Sequence, residues 1–208
     1  MAHSGGSQSV IRSIYLIPPT NASGILLANA GSWLFPTREL TFPYGLGGLD
    51  KNDQDLQKFL ALPLIISVGT NDVHDGNNFD LSPGAMAQGS SRLDRGRAMA
   101  AAGHQVAASH GWECAWKLVE VPEVGHDGGA MLKYEKVGPA LFGEEKYAYY
   151  TTIAATFAKQ NNVTLSIEHQ EEEIGADGGH HHRRKHGDGG HKKKHHHHDE
   201  DEEEGKKK

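Results

Sequence analysis

In the first 160 residues, segments with apolar residues at helical spacing alternate with short, continuous apolar runs. Between residues 10 and 15, apolar side chains recur at helical spacing, and Pro18 and Pro19 end this pattern. Residues 24–29 (GILLAN) and 62–68 (LPLIISV) are instead short apolar runs. Such runs are typical of strands that are buried on both faces of a parallel sheet. The pattern therefore predicts a helix followed by two buried strands.

The same alternation continues further along the chain. A short helix is predicted over residues 53–60, and a serine–proline pair starts a long helix over 82–110. Residues 112–121 (WECAWKLVEV) are predicted to be a third strand. A broken helix that reaches residue 142 and a helix over 144–159 follow. Helices that alternate with strands indicate an α/β domain with three parallel strands and flanking helices.

The composition changes after about residue 167. Residues 168–208 hold ten of the fifteen histidines and almost no apolar side chains. Such a segment cannot bury enough surface to offset the entropy lost on ordering. We therefore expect two parts, a folded domain over 1–167 and a disordered, low-complexity tail over 168–208.

Charge and hydropathy exclude two classes of function. Residues 1–167 carry 12 Lys and Arg against 15 Asp and Glu, and residues 168–208 carry 9 against 12, so each part has a net charge of −3. Neither part has the basic balance expected of a nucleic-acid-binding protein. No run reaches the roughly 18 apolar residues of a membrane span.

Three residues carry candidate chemistry. Ser4 lies in AHSGG, one residue away from G-x-S-x-G, the sharp strand-to-helix turn that exposes a nucleophilic serine. Asp72 follows the second buried strand, and His126 lies in a glycine-rich loop after the third. Loops at the carboxyl ends of parallel strands converge, and a serine nucleophile needs a base that an acid holds in place. The residues are therefore candidates for a Ser-His-Asp triad.

Several assignments have alternatives. Asp75 or Asp80 could replace Asp72, which is preferred because it comes first after the strand. Asp127 is more readily explained as a loop-bonding carboxylate. Three aromatic residues could line an acyl pocket or could pack their loop onto the sheet. These residues are Trp33, Phe35 and Tyr44.

Four segments together resemble a known family. They are AHSGGS at the turn, LPLIISVGTND before the acid, SPGAMAQGSSRLDRGRAMA on the long helix and KLVEVPEVGHDGGAM around the histidine. The order Ser, Asp, His, with separations of 68 and 54 residues, is that of the α/β-hydrolases. Residues 2 to about 142 resemble the C-terminal half of an α/β-hydrolase of the esterase, lipase or polyester-depolymerase sort.

The resemblance implies a mechanism. Ser4 would attack an acyl carbonyl of a small ester or a polyester, His126 would act as base and then acid, and Asp72 would orient His126. Gly5 would supply one oxyanion N–H, and no cofactor would be required. The second donor normally comes from a loop near the start of such a domain. A missing donor costs on the order of 10²–10³ in turnover, so we expect a truncated form with little activity alone.

The tail supports a different hypothesis. Clustered neutral imidazoles can bind Zn²⁺, Ni²⁺ or Cu²⁺, here weakly because no fixed geometry is predicted. The candidate ligands are His180, His181, His182, His186, His191, His195, His196, His197 and His198. A solubilising tail without a ligand is the alternative. A hydrolase-derived domain without activity is a further possibility for residues 1–167.

Overall fold

A computed structural model describes residues 1–73, 76 and 78–161, which form one parallel sheet flanked by helices. The strands are β1 (Ala2–His3), β2 (Ile25–Ala28), β3 (Leu64–Gly69) and β4 (Lys117–Val121). The helices are α1 (Gly5–Leu16), α2 (Asp53–Leu60), α3 (Pro83–Met86), α4 (Arg92–His110), α5 (Gly128–Lys133), α6 (Val137–Phe142) and α7 (Glu144–Asn161). The strands lie in the order β1-β2-β3-β4, and every neighbouring pair is parallel.

The sheet has four strands in the described residues, where the sequence pattern predicted three. The additional strand is β1, in which Ala2 pairs with Leu27 and His3 with Ala28. Two residues are too few to show a strand period in the sequence. They are ordered by the neighbouring strand β2, which is buried along its whole length. A strand therefore leads into the turn at Ser4.

Two predicted elements are interrupted or shortened. The long helix predicted over 82–110 is two helices, because Gly89 has φ 147° between them and Ser91 caps α4 by accepting a hydrogen bond from the Asp94 N–H. The strand predicted over 112–121 begins only at Lys117. Before it, the Trp116 indole N–H donates to the Phe59 carbonyl at 3.1 Å, so side-chain packing holds the chain there.

The largest hydrophobic cluster includes residues of β2, β3, α1, α2 and α4. Two glycines let α4 approach its neighbours closely, because a Cβ at Gly96 would meet Val68 and one at Gly103 would meet the Trp116 ring. This packing places the first turn of α4 near the carboxyl end of β3. Among the residues described, every helix is too short or too polar to cross a bilayer.

Candidate active site

Ser4 occupies a strained turn between β1 and α1. Its φ of 53° and ψ of −124° are unusual for a residue with a side chain. The turn is fixed on the sheet because the N–H of Ser4 and the hydroxyl of Ser7 both donate to the Ala28 carbonyl at 2.9 Å. A Cβ added to Gly6 would lie 3.6 Å from that of Ala2, so these small residues leave room for the turn. Such strain is typical of a nucleophile turn.

The buried side chain of Asn29 joins the ends of three strands. It accepts a hydrogen bond from the Gly69 N–H at 2.9 Å and donates to the Gly125 carbonyl at 3.2 Å. The loop after β3 also pairs with the loop after β4, since the Asn71 N–H donates to the Val124 carbonyl at 3.0 Å. The acid and histidine loops are therefore held against each other and against β2.

The structure brings Ser4, His126 and Asp72 into one hydrogen-bonded chain. The His126 Nε2 lies 2.9 Å from the Ser4 Oγ, and the His126 Nδ1 lies 2.7 Å from the Asp72 Oδ2. Asp72 is 3% exposed, whereas the His126 side chain is 32% exposed. The Gly5 N–H belongs to the first turn of α1, where backbone N–H groups lack intrahelical acceptors. The Gly5 N–H is thus available to donate a hydrogen bond beside Ser4.

Sequence reasoning missed Arg92. This residue is the first of α4, and its Nη1 lies 3.3 Å from the Asp72 Oδ1, the carboxylate oxygen that His126 does not use. Its side chain is 2% exposed. A cation in the first turn of a helix is disfavoured by the helix dipole. The sequence did not carry this signal, because the helix predicted over 82–110 placed Arg92 in its interior and not in a first turn.

His3 packs beside His126. The ring centroids are 4.6 Å apart, and the buried Nε2 of His3 has no hydrogen-bond partner among the described residues. Gly128 makes room for this ring, since a Cβ there would lie 3.1 Å from it. Burial, and then the nearby His126, lower the pKa of His3 below its ordinary value of 6.5. Protonation of His3 is therefore disfavoured in the folded protein.

Acidification should destabilise the fold through His3. Because its folded pKa is below the unfolded value of 6.5, the folded state resists protonation, and the contribution present above pH 6.5 is lost as the pH falls through the folded pKa. We expect His3→Phe, which keeps a ring but cannot be protonated, to lose less stability than the wild type between pH 7.5 and 5.5. Urea unfolding at both pH values measures this, and equal losses would contradict it.

The remaining predicted acids have other roles or positions. Asp127 caps α5 by accepting hydrogen bonds from the N–H groups of Ala130 and Gly129. These two bonds, that of Ala130 most strongly, lower the pKa of Asp127. Asp80 accepts hydrogen bonds from the Tyr44 hydroxyl at 3.2 Å and the Ser82 N–H at 3.0 Å. These hydrogen bonds of Asp80 are with groups other than His126. Asp75 lies outside the described residues.

The three predicted pocket residues differ in burial. Trp33 is fully buried in the core cluster and partly buried Phe35 packs against it, the arrangement described by the alternative that these residues pack their loop onto the sheet. Tyr44 differs, since it lines an open groove beside the nucleophile turn. That groove is also lined by Gly5, Gln8, Arg12, Ser32 and Asp80.

The proposed metal ligands, His180–His182, His186, His191 and His195–His198, lie outside the described residues, and the tail hypothesis stays a prediction. Within 1–73, 76 and 78–161, no group of three or more His, Cys, Asp or Glu side chains is placed to hold a metal ion.

No family profile matches the sequence, and no curated protein matches it. Among the solved structures that resemble it, two are 34% identical to it. The poly(3-hydroxybutyrate) depolymerase LpqC from Bordetella parapertussis matches with a TM-score of 0.59 over 64% of this chain and 48% of its own. The poly(aspartic acid) hydrolase-1 from Sphingomonas sp. KT-1 matches with a TM-score of 0.61 over 65% and 52%. Both are α/β-hydrolases. This chain has a partial α/β-hydrolase fold.

The resemblance predicted from the sequence is thus confirmed. The chain spans about half the length of each of these two proteins. Within this α/β-hydrolase fold, the carboxyl ends of β1, β3 and β4 hold Ser4, Asp72 and His126, respectively. A hydroxyl, an imidazole and a carboxylate linked in this order can move a proton away from the hydroxyl.

Proposed function

We propose that this chain carries the acyl-transfer machinery of a serine hydrolase that acts on esters. The observation that carries the proposal is the hydrogen-bonded chain from Ser4 through His126 to Asp72, with links of 2.9 and 2.7 Å. Both distances lie in the range for proton transfer between side chains. The two hydrolases with the same fold support a hydrolytic reaction.

The proposed reaction has two halves. The Ser4 Oγ forms a bond to the ester carbonyl carbon while the His126 Nε2 takes the hydroxyl proton, and Asp72 stabilises the resulting imidazolium. The imidazolium then protonates the leaving alkoxide, which departs and leaves an acyl group on Ser4. Water, deprotonated by His126, attacks the carbonyl carbon of this acyl group. The bond from that carbon to the Ser4 Oγ then breaks, the His126 imidazolium returns its proton to Oγ, and the acid is released. The Gly5 N–H donates to the oxyanion in both halves.

The surroundings of the serine favour an extended substrate. The groove beside Gly5 is open and is lined by polar side chains, including Tyr44 and Asp80. Related structures include a poly(3-hydroxybutyrate) depolymerase and a poly(aspartic acid) hydrolase, which are named for polymeric substrates. We therefore propose a polyester or a small ester related to its repeating unit as the substrate.

A fluorophosphonate probe tests the proposed nucleophile directly. We expect the full chain to be phosphonylated at Ser4, because His126 activates that hydroxyl, and we expect Ser4→Ala to lose all labelling. Intact-mass and peptide mass spectrometry measure the adduct. Turnover of p-nitrophenyl butyrate by the same two proteins tests the proposed ester hydrolysis itself, and it should be lost in Ser4→Ala.

Ser13→Ala is the matched control. Ser13 lies on the exposed side of the same helix, away from the groove, and its hydroxyl donates to the Ser9 carbonyl at 2.9 Å. This variant should be labelled at the wild-type rate. A wild-type chain that is folded but unreactive would favour the alternative of an inactive hydrolase-derived domain.

A further inference from the structure

The two oxygens of the Asp72 carboxylate bind different side chains. Its Oδ2 lies 2.7 Å from the His126 Nδ1, and its Oδ1 lies 3.3 Å from the Arg92 Nη1. We propose that Arg92 is a positioning residue, which holds the Asp72 carboxylate turned towards His126 and shares its charge. This inference rests on the proposed serine hydrolase function and assigns a further residue to its site.

The surroundings of Arg92 differ from those of an arginine that holds the fold together. Within the described residues, its guanidinium makes one hydrogen bond, to Asp72, and its buried Nε has no partner. Arg95, one turn later on α4, instead donates to the carbonyls of Gly89 and Gly31. Arg95 therefore stabilises loops, whereas the contact of the Arg92 guanidinium among the residues described is with the Asp72 carboxylate.

The burial of this pair makes Arg92 the counter-charge on which the Asp72 carboxylate depends. The two side chains are 2% and 3% exposed, and the Phe79 ring lies 5.1 Å from the guanidinium carbon. A buried carboxylate without a counter-charge is strongly disfavoured. A buried ion pair contributes little net stability compared with apolar packing. The pair is therefore better explained by orientation of the acid than by stability.

The effect on pH dependence has a definite sign. The charged or titratable groups around Asp72 are Arg92 on α4, His126 after β4, His3 on β1 and, further away, Asp127. Removing the Arg92 charge leaves the Asp72 charge unshared and takes a cation away from the neighbourhood of His126, so the His126 imidazolium is stabilised. Protonated His126 cannot take the proton of Ser4. The acid limb of the serine's reactivity, where the rate falls with decreasing pH, therefore moves to higher pH.

The test compares Arg92→Met and Arg92→Lys in the full chain. The readout is the second-order rate constant for fluorophosphonate labelling of Ser4 between pH 5.5 and 9. We expect the acid limb of Arg92→Met to lie about one pH unit higher than that of the wild type. At a given pH on that limb, the labelling rate would then be about tenfold lower. Arg92→Lys, which keeps the charge, should restore the wild-type position. Arg95→Met, the matched buried control, should lower the thermal midpoint without moving the limb.

A double variant tests the role of Arg92 even where Arg92→Met alone folds poorly. In an Asp72→Asn background, adding Arg92→Met should change the labelling rate by less than about twofold, because the carboxylate on which Arg92 acts is gone. An equal loss of rate in both backgrounds, or an unmoved acid limb in folded Arg92→Met, would overturn the role of Arg92. Absence of labelling in the wild type would instead overturn the proposed nucleophile.

Discussion

Asp72→Asn should lower the rate at which Ser4 reacts with a fluorophosphonate by about 10⁴-fold, the loss seen when the acid of such a triad becomes an amide. The amide cannot stabilise the imidazolium, and it favours the wrong tautomer of His126, whose Nδ1 lies 2.7 Å from the acid. It also leaves the buried Arg92 without a counter-ion. The labelling rate at pH 8, measured with the unfolding midpoint, separates lost reactivity from lost folding.

Two matched controls test whether the effect belongs to Asp72. Asp80→Asn removes a carboxylate that accepts hydrogen bonds from Tyr44 and Ser82, and Asp127→Asn changes the cap of α5 beside His126. Each should change the labelling rate by less than about tenfold, since neither carboxylate contacts the imidazole. A loss for Asp80→Asn as large as that for Asp72→Asn would contradict the assignment of the acid.

The position of the three candidate residues could be predicted because each follows a local signal. The apolar run of β3 ends just before Asp72, and the small residues around Ser4 mark the turn. Parallel strands then bring such loops to one edge of the sheet. The fold followed from the same alternation of runs and helical spacing, although the two-residue β1 gave no periodic signal.

Other features depend on tertiary contacts that a single sequence does not encode locally. Asn29 lies at the end of an apolar run, and nothing near it in the sequence indicates its bonds to Gly69 and Gly125, 40 and 96 residues away. Trp33 illustrates the same problem, because an aromatic residue in a glycine-rich loop can face a groove or the core. Arg92 acquires its meaning only when α4 packs beside Asp72.

Gly69→Ala should damage both the fold and the site. Gly69 ends β3, three residues before the acid, and a Cβ there would collide with the backbone carbonyl of Val124 and would lie 2.9 Å from that of Gly125. Backbone atoms cannot rotate away as a side chain can, so the loop that carries His126 must shift. We expect a loss of about 3 kcal/mol in the free energy of unfolding.

The same shift should reach the chemistry. Moving the histidine loop by about 1 Å lengthens the bond between His126 and Asp72 and should cost on the order of 10² in the labelling rate of Ser4. Gly125→Ala is the matched control from the facing loop, since a Cβ there would lie 3.8 Å from the Asn71 carbonyl, an ordinary contact. It should cost less than about 1 kcal/mol by urea unfolding and keep most of the reactivity. If Gly69→Ala is as stable and as reactive as Gly125→Ala, then the two loops are not held at a fixed distance by their backbones.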